Sequence, residues 1–233
     1  MTRTSDTLPA ATAKPFIVGI GATAQSDSST EQALVLASAA AQRAGGRTRV
    51  FGCAALTALP HYLTPDSRGC DQGLELVDQV RAADGLIIAS PGYHGSISGL
   101  VKNAIDYLEE TARDVRPYLD RIPVGLIVTA YGWQATGSTL ATLRSIVHAL
   151  RAWPTPLGVT INTSGGVFKD GRCVDGGVAA QLETVGRQVC EFARLGMHGA
   201  TLACGPGTPD GTVKNNEYRA LSALKSEENV RDS

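Results

Sequence analysis

Three short stretches of this chain bring together the groups that small-molecule chemistry needs. The first is Gly21-Ala22-Thr23-Ala24-Gln25-Ser26-Asp27-Ser28-Ser29-Thr30, which places five hydroxyls just ahead of an apolar-periodic segment. A helix N-terminus offers unpaired amide donors and the positive end of a dipole, and hydroxyls there add donors for a phosphate without adding charge. The same residues also read as a capped, solvated turn with Ser28 or Thr30 as N-cap. The second stretch is Ser90-Pro91-Gly92-Tyr93-His94-Gly95-Ser96-Ile97-Ser98-Gly99. Pro91 and Gly92 let backbone approach a flat ligand closely. Tyr93 and His94 add flat and polar contacts. The third stretch, Ala130 onward through Tyr131-Gly132-Trp133-Gln134-Ala135-Thr136-Gly137, repeats the mixture of small and aromatic residues. Each stretch alone also reads as an ordinary connection, with a partly buried Tyr93 or a packed Trp133. Together, a phosphate cradle and two flat walls fit an aromatic mononucleotide.

The elements that would position these stretches are legible from the hydrophobic pattern. Short branched apolar runs predict strands over residues 15–21, 49–54, 85–89, 122–130 and 157–161. Helical spacing predicts helices over residues 30–44, 72–83, 138–153 and 175–195, and one carrying Leu100, Val101, Ala104, Ile105 and Leu108. Residues 56–71, with Pro60, Pro65 and Gly69, predict a loop, and residues 164–172 a loop with a tight Asp170-Gly171 turn. Strand–helix alternation of this kind builds a parallel sheet with helices on both faces. All three stretches then fall at carboxyl ends of strands, where such sheets place ligands, with the switch point between strands one and three. The expected organisation is a leader over 1–14 without fixed structure, one domain over 15–196, and a tail over 197–233.

Bulk properties remove several function classes. The chain has 233 residues with net charge -1, 43% hydrophobic and 18% charged. That balance argues against an electrostatic nucleic-acid binder and gives an anionic membrane no handle. No apolar run approaches the roughly 18 residues of a membrane span, and the first residues lack the apolar core of a secretory signal. Five cysteines at scattered spacings, away from the four histidines, argue against a disulfide framework or a metal site. Reduced thiols in a cytoplasm are the expectation. The first stretch also lacks both G-x-x-x-x-G-K-[ST] and a third glycine after Gly19-Ile20-Gly21, so it matches neither common nucleotide fingerprint.

The second stretch, continued through Leu100-Val101-Lys102-Asn103-Ala104-Ile105-Asp106, resembles the signature of the NADPH-dependent FMN reductase family, a flavodoxin-like group. The first stretch resembles that family's phosphate loop, with Ala24 where an arginine is common, and Ala130-Tyr131-Gly132 stands at its third flavin loop. The resemblance implies an α/β flavodoxin-like three-layer sandwich, a five-stranded parallel sheet in the order 2-1-3-4-5. It implies FMN held non-covalently, with Thr23, Ser28, Ser29 and Thr30 on the phosphate. Pro91, Gly92, Tyr93, His94, Gly95 and Ser96 would line the ring, and Ala130, Tyr131, Gly132 and Trp133 would wall its other edge. NADPH or NADH would supply hydride to FMN N5. The electrons would pass to free flavin and on to a partner such as a flavin-dependent monooxygenase, or to a quinone, azo or biosynthetic organic acceptor. A flavodoxin-type electron carrier is a further alternative, disfavoured by the near-zero net charge. The hydride step requires no side-chain acid, so His94 reads either as a proton donor to the second substrate or as a loop hydrogen bonder. The family's habit implies a homodimer or homotetramer. Lys102 reads as an ion pair with Asp106 at i,i+4, Asn103 as an anchor of its helix, and Arg43, Arg47 and Arg49 as a solvated basic face.

Overall fold

The structure, a computed structural model, describes residues 13–203, with side chains through residue 197. Residues to Met197 form one compact unit, and a second begins at His198. Most of the expected leader and tail therefore lies outside the described residues.

The chain order is β1 (Phe16–Ile20), α1 (Ser29–Arg43), β2 (Arg47–Phe51), α2 (Cys53–Thr57), α3 (Asp71–Arg81), β3 (Gly85–Tyr93), β4 (Ser96–Ile97), α4 (Gly99–Asp106), β5 (Pro123–Ala130), α5 (Trp133–Ala149), β6 (Trp153–Asn162), β7 (Phe168–Lys169), β8 (Arg172–Cys173) and α6 (Gly176–Ala203). The five long strands are parallel in the order β2-β1-β3-β5-β6. This is the expected order, and the fold is flavodoxin-like. Every residue of β1 and β5 is buried, because helices cover both faces. Alternate residues serve the two sides. Val18, Ile20, Leu86, Ile88, Leu126 and Val128 pack with α3, α4 and α5. Ile17, Ile87, Ala89, Ile127 and Ile161 pack with α1 and α6.

The structure corrects the expected elements at several points. β3 does not stop at Ala89; it runs to Tyr93 and folds back as β4. The turn residues His94 and Gly95 both have positive φ, 52° and 82°, the two-residue type I′ geometry that suits twisted antiparallel strands. The sheet therefore gains a short sixth, antiparallel strand. α5 begins at Trp133, five residues before the predicted start. β6 begins at Trp153 and includes Pro154 and Pro156, which an edge strand tolerates because its outer N–H row needs no partner. The expected loop over 56–71 is preceded by α2, and α6 continues beyond Leu195. Asp170 and Gly171, with φ of 49° and 73°, do make the predicted tight turn, between β7 and β8.

Candidate functional site

β1, β3 and β5 are adjacent, so the three stretches singled out above leave the same rim of the sheet side by side. At the first, the chain turns off β1 at Gly21, whose amide donates to the Phe51 carbonyl at 3.1 Å. A Cβ on Gly21 would lie 2.1 Å from the Ala89 carbonyl oxygen, so only glycine lets β1 and β3 approach this closely at the rim. The loop then folds on itself. The Gln25 amide donates to Thr23 Oγ1 at 3.1 Å, and Gln32 Nε2 donates to the carbonyl of Asp27, a residue with φ 56°. Gln32 Oε1 is buried and has no partner. Ser28 is the N-cap of α1, its Oγ accepting from the Glu31 amide at 3.3 Å. The Glu31 carboxylate accepts from the Cys53 amide at 2.8 Å, which ties α1 to α2. From Ala22 to Gln42 there is no lysine or arginine. Any anion held here rests on amides, hydroxyls and the helix dipole.

Thr30 departs from its expected role. It is 1% exposed, and its hydroxyl shares a 2.6 Å hydrogen bond with the hydroxyl of Thr129, near the end of β5. Its backbone, not its side chain, faces the loop's business.

The second stretch is the β3–β4 hairpin. Pro91 is buried; Tyr93, His94, Gly95 and Ser96 are exposed at its tip. His94 makes no side-chain hydrogen bond among the described residues. Ser90 is fully buried, and its Oγ accepts from the Ser98 amide at 3.1 Å, pinning the returning strand. Ser98 in turn caps α4, accepting from the Val101 amide at 3.2 Å. Gly92 has a different reason from the one its sequence context offers. A Cβ there would meet Thr139 Oγ1 at 2.7 Å and the Ala135 carbonyl at 3.3 Å, so the missing side chain makes room for α5. Thr139 also donates to the Ser96 carbonyl at 3.3 Å.

The third stretch is shorter than expected. Ala130 is 8% exposed and accepts from the Thr163 amide through its carbonyl at 2.9 Å. Gly132 is the N-cap of α5 and brings no capping side chain. Tyr131 is 82% exposed, Trp133 66% and Tyr93 51%, so three aromatic side chains stand unpacked on one rim. The expected site residues thus converge, and Thr30, Thr129, Ser90 and Thr139 hold them together from beneath. Thr129 and Thr139 were not singled out by sequence, and Ser90 opened the second stretch without a role of its own. The signal available for Thr129 and Ser90 was a lone hydroxyl within an otherwise apolar buried strand.

Residues set aside from the site behave as expected. Lys102 pairs with Asp106 at 2.5 Å. Asn103 accepts from the Tyr62 amide at 2.8 Å and donates to the Pro60 carbonyl at 3.0 Å. Arg43 pairs with Glu183, Arg49 with Glu75, and Arg47 lies over the Phe16 ring. Two cavities lie away from the rim. One, of about 460 Å³, is lined by His148, Arg151, Ala152, Trp153 and Pro154 where α5 ends and β6 begins. The other, of about 380 Å³, lies beside α3 and includes Tyr62, Cys70, Leu74 and Tyr107. There, burial first and the Glu110 carboxylate second push the Tyr62 phenol up to about 12. Burial and then the Cys70 thiol push Tyr107 up to about 12 as well. Among the described residues no cluster of His, Cys, Asp and Glu could hold a metal, and no helix is long and apolar enough to cross a membrane.

The fold and rim define a flavodoxin-like α/β protein, and solved structures of that kind superpose on it. FerB from Paracoccus denitrificans, a flavoenzyme NAD(P)H:(acceptor) oxidoreductase, aligns with a TM-score of 0.59 at 20% identity, over 78% of this chain and 98% of its own. A flavodoxin, WrbA-like protein from Agrobacterium tumefaciens aligns with a TM-score of 0.55 at 14% identity, over 78% and 99%. Residues 15–165 match the profile of the NADPH-dependent FMN reductase family, and the chain belongs to that family. An FMN-dependent NADPH-azoreductase of Staphylococcus aureus is 37% identical over 90 residues, 39% of this chain and 44% of the relative. The chain thus spans less than half the length of the curated relative it matches.

Proposed function

We propose that residues 15–196 form an FMN-binding domain and that the chain is an NAD(P)H-dependent flavin oxidoreductase. The observation that carries this reading is the convergence of three loops at the ends of β1, β3 and β5, the first and third of them joined by the Thr30–Thr129 bond. The donor set fits a phosphate monoester. The Ser29 and Thr30 amides stand in the first turn of α1, where no intrahelical acceptor reaches them. The hydroxyls of Ser28 and Ser29 lie beside them, and Thr23, whose hydroxyl donates to the Gln25 carbonyl at 3.0 Å, would join them by turning that proton to the phosphate. The walls fit a flat ring: a Cβ on Gly132 would meet nothing within 4 Å, and Gly95 is nearly as open. Bound there, FMN supplies hydride acceptance from a nicotinamide and electron delivery to an acceptor.

The chain's own part is to bind and orient. The first loop fixes the phosphate end, while Pro91, Gly92, Tyr93, His94, Gly95 and Ser96 hold one side of the ring. Ala130, Tyr131, Gly132 and Trp133 hold another, and the exposed Tyr131 and Trp133 give an incoming planar group a stacking surface. Holding two rings face to face supplies much of the rate. His94, exposed at the hairpin tip, is placed to give a proton to the acceptor or to hydrogen-bond it.

A planar organic acceptor, quinone or azo, is the second reading. It is favoured by the three exposed aromatics and by the azoreductase relative. A flavin-dependent monooxygenase taking reduced FMN would be the partner under the first reading. The working assembly is a homodimer or homotetramer meeting through α4 and α5, and the location is cytoplasmic. The test is the visible spectrum of the purified protein with FMN, followed by NADPH under anaerobic conditions. A flavin band that bleaches on NADPH supports the enzyme. A band that survives NADPH and NADH would leave an electron carrier, and no FMN binding at all would refute the reading. Sequential kinetics with free flavin then distinguish a flavin reductase from the ping-pong pattern of an organic-acceptor reductase.

A further inference from the structure

We propose that the buried Thr30–Thr129 hydroxyl pair is a spacer that makes the site select phosphorylated over unphosphorylated flavin, an inference that rests on the flavin reading above. Thr30 lies in the first turn of α1, the turn whose amides face the phosphate. Thr129 lies directly before Ala130 of the third loop and is in register with Pro91 of the second. One 2.6 Å bond therefore joins the phosphate end of the site to both ring walls, between residues 99 apart in sequence. Thr30 is 1% exposed and Thr129 4%, so water does not compete for either hydroxyl. Burial of both side chains holds the two hydroxyls in place, which makes the link a fixed length rather than a tether.

The spacing matters because the first loop carries no cation where it would meet the ligand, only the carboxylates of Asp27 and, in the first turn of α1, Glu31. With no lysine or arginine from Ala22 to Gln42, there is no long-range attraction to forgive a misplaced phosphate. The amide and hydroxyl hydrogen bonds that remain lose strength quickly with distance and angle. A ligand spanning phosphate loop and ring walls feels a shift of α1 relative to β5. A ligand that occupies the ring walls alone does not. Phosphate selectivity is thus set by the distance between two elements, and the hydroxyl pair is positioning in kind: it touches neither ring nor phosphate.

The experiment titrates full-length protein with FMN and with riboflavin and reads the ratio of the two dissociation constants. The variants are T129V, T129S and the double T30V/T129V, which replaces both hydroxyls by methyls and leaves no unpartnered hydroxyl to compromise folding. T129V and the double variant are expected to weaken FMN by about tenfold while riboflavin changes by less than about threefold, and T129S is expected to keep the wild-type ratio. A double variant with the wild-type ratio, equal losses for both flavins, or a T129S as impaired as T129V would overturn the proposal. Wild-type protein that binds both flavins equally would overturn this inference and leave the flavin reading standing. Wild-type protein that binds neither would overturn that reading and, with it, the inference.

Discussion

Replacing Gly92 by alanine separates two explanations for a glycine at the ring wall. If the residue is small to admit a ligand, the added methyl costs affinity and leaves the free protein's stability alone. The structure assigns the space to α5 instead. The new Cβ would sit 2.7 Å from Thr139 Oγ1, inside any observed carbon contact, and 3.3 Å from the Ala135 carbonyl. Thr139 is fully buried and cannot swing clear. Overpacking of this kind costs ~1–3 kcal/mol. Removing a glycine from the unfolded chain returns ~0.4–1 kcal/mol. The net is a loss of about 1–2 kcal/mol, or roughly 2–8 °C in Tm for a domain of this size. Calorimetry without ligand reads it directly. In a T139A background, where the opposing oxygen is gone, the same substitution should cost at least about 1 kcal/mol less, as a double-mutant cycle measures. A G92A protein with unchanged Tm and weakened flavin binding would refute the packing argument, and so would a cost untouched by T139A.

Two further outcomes follow from the charges and the buried phenols. Ala24 is exposed in a loop that holds no cation, so Ala24→Arg should tighten FMN about fivefold through one partly screened charge-assisted contact. Riboflavin affinity should stay level, and equal tightening of both by calorimetric titration would place the phosphate elsewhere. Tyr62 and Tyr107 ionise near 12 in the folded chain, against 10.0 when free. The unfolded chain therefore loses those protons first, so their contribution is intact below about pH 10 and drains away as pH rises toward 12. Denaturant midpoints measured across that window should fall for the wild type and fall less for the Y62F/Y107F variant. Equal slopes would show that the two phenols are not the groups responsible.

The sheet order was readable because the three central strands are short apolar runs and segments of helical period separate all five. Burial on both faces writes that pattern plainly. What sequence misplaced was governed by contacts the pattern does not encode. α5 starts at Trp133 because Gly132 caps it without a side chain, so no Ser, Asp or Asn marked the boundary. β6 absorbs Pro154 and Pro156 because no strand among the described residues pairs with its outer side. The hairpin beyond β3 depends on His94 taking a left-handed φ, a conformation His-Gly signals less strongly than Asn-Gly. Within the site, residue types and spacing identified which loops meet. They could not show that Thr30 spends its hydroxyl on Thr129, since that bond exists only once α1 has docked on β5.

The sheet's two margins constrain how copies of this chain can meet. On one side β2 presents Arg47 and Arg49, and Arg49 is already committed to Glu75. On the other, β6 carries two imino acids, and its register slips between the partners of Val124 and Leu126, with Pro156 inside the slip. Neither margin offers a neighbour a flat ladder of free amides and carbonyls. Backbone zippering between molecules is thereby blocked at both ends, which protects a five-strand parallel sheet from the open-ended stacking its interior would otherwise favour. The helix-mediated pairing proposed above would leave both margins unused.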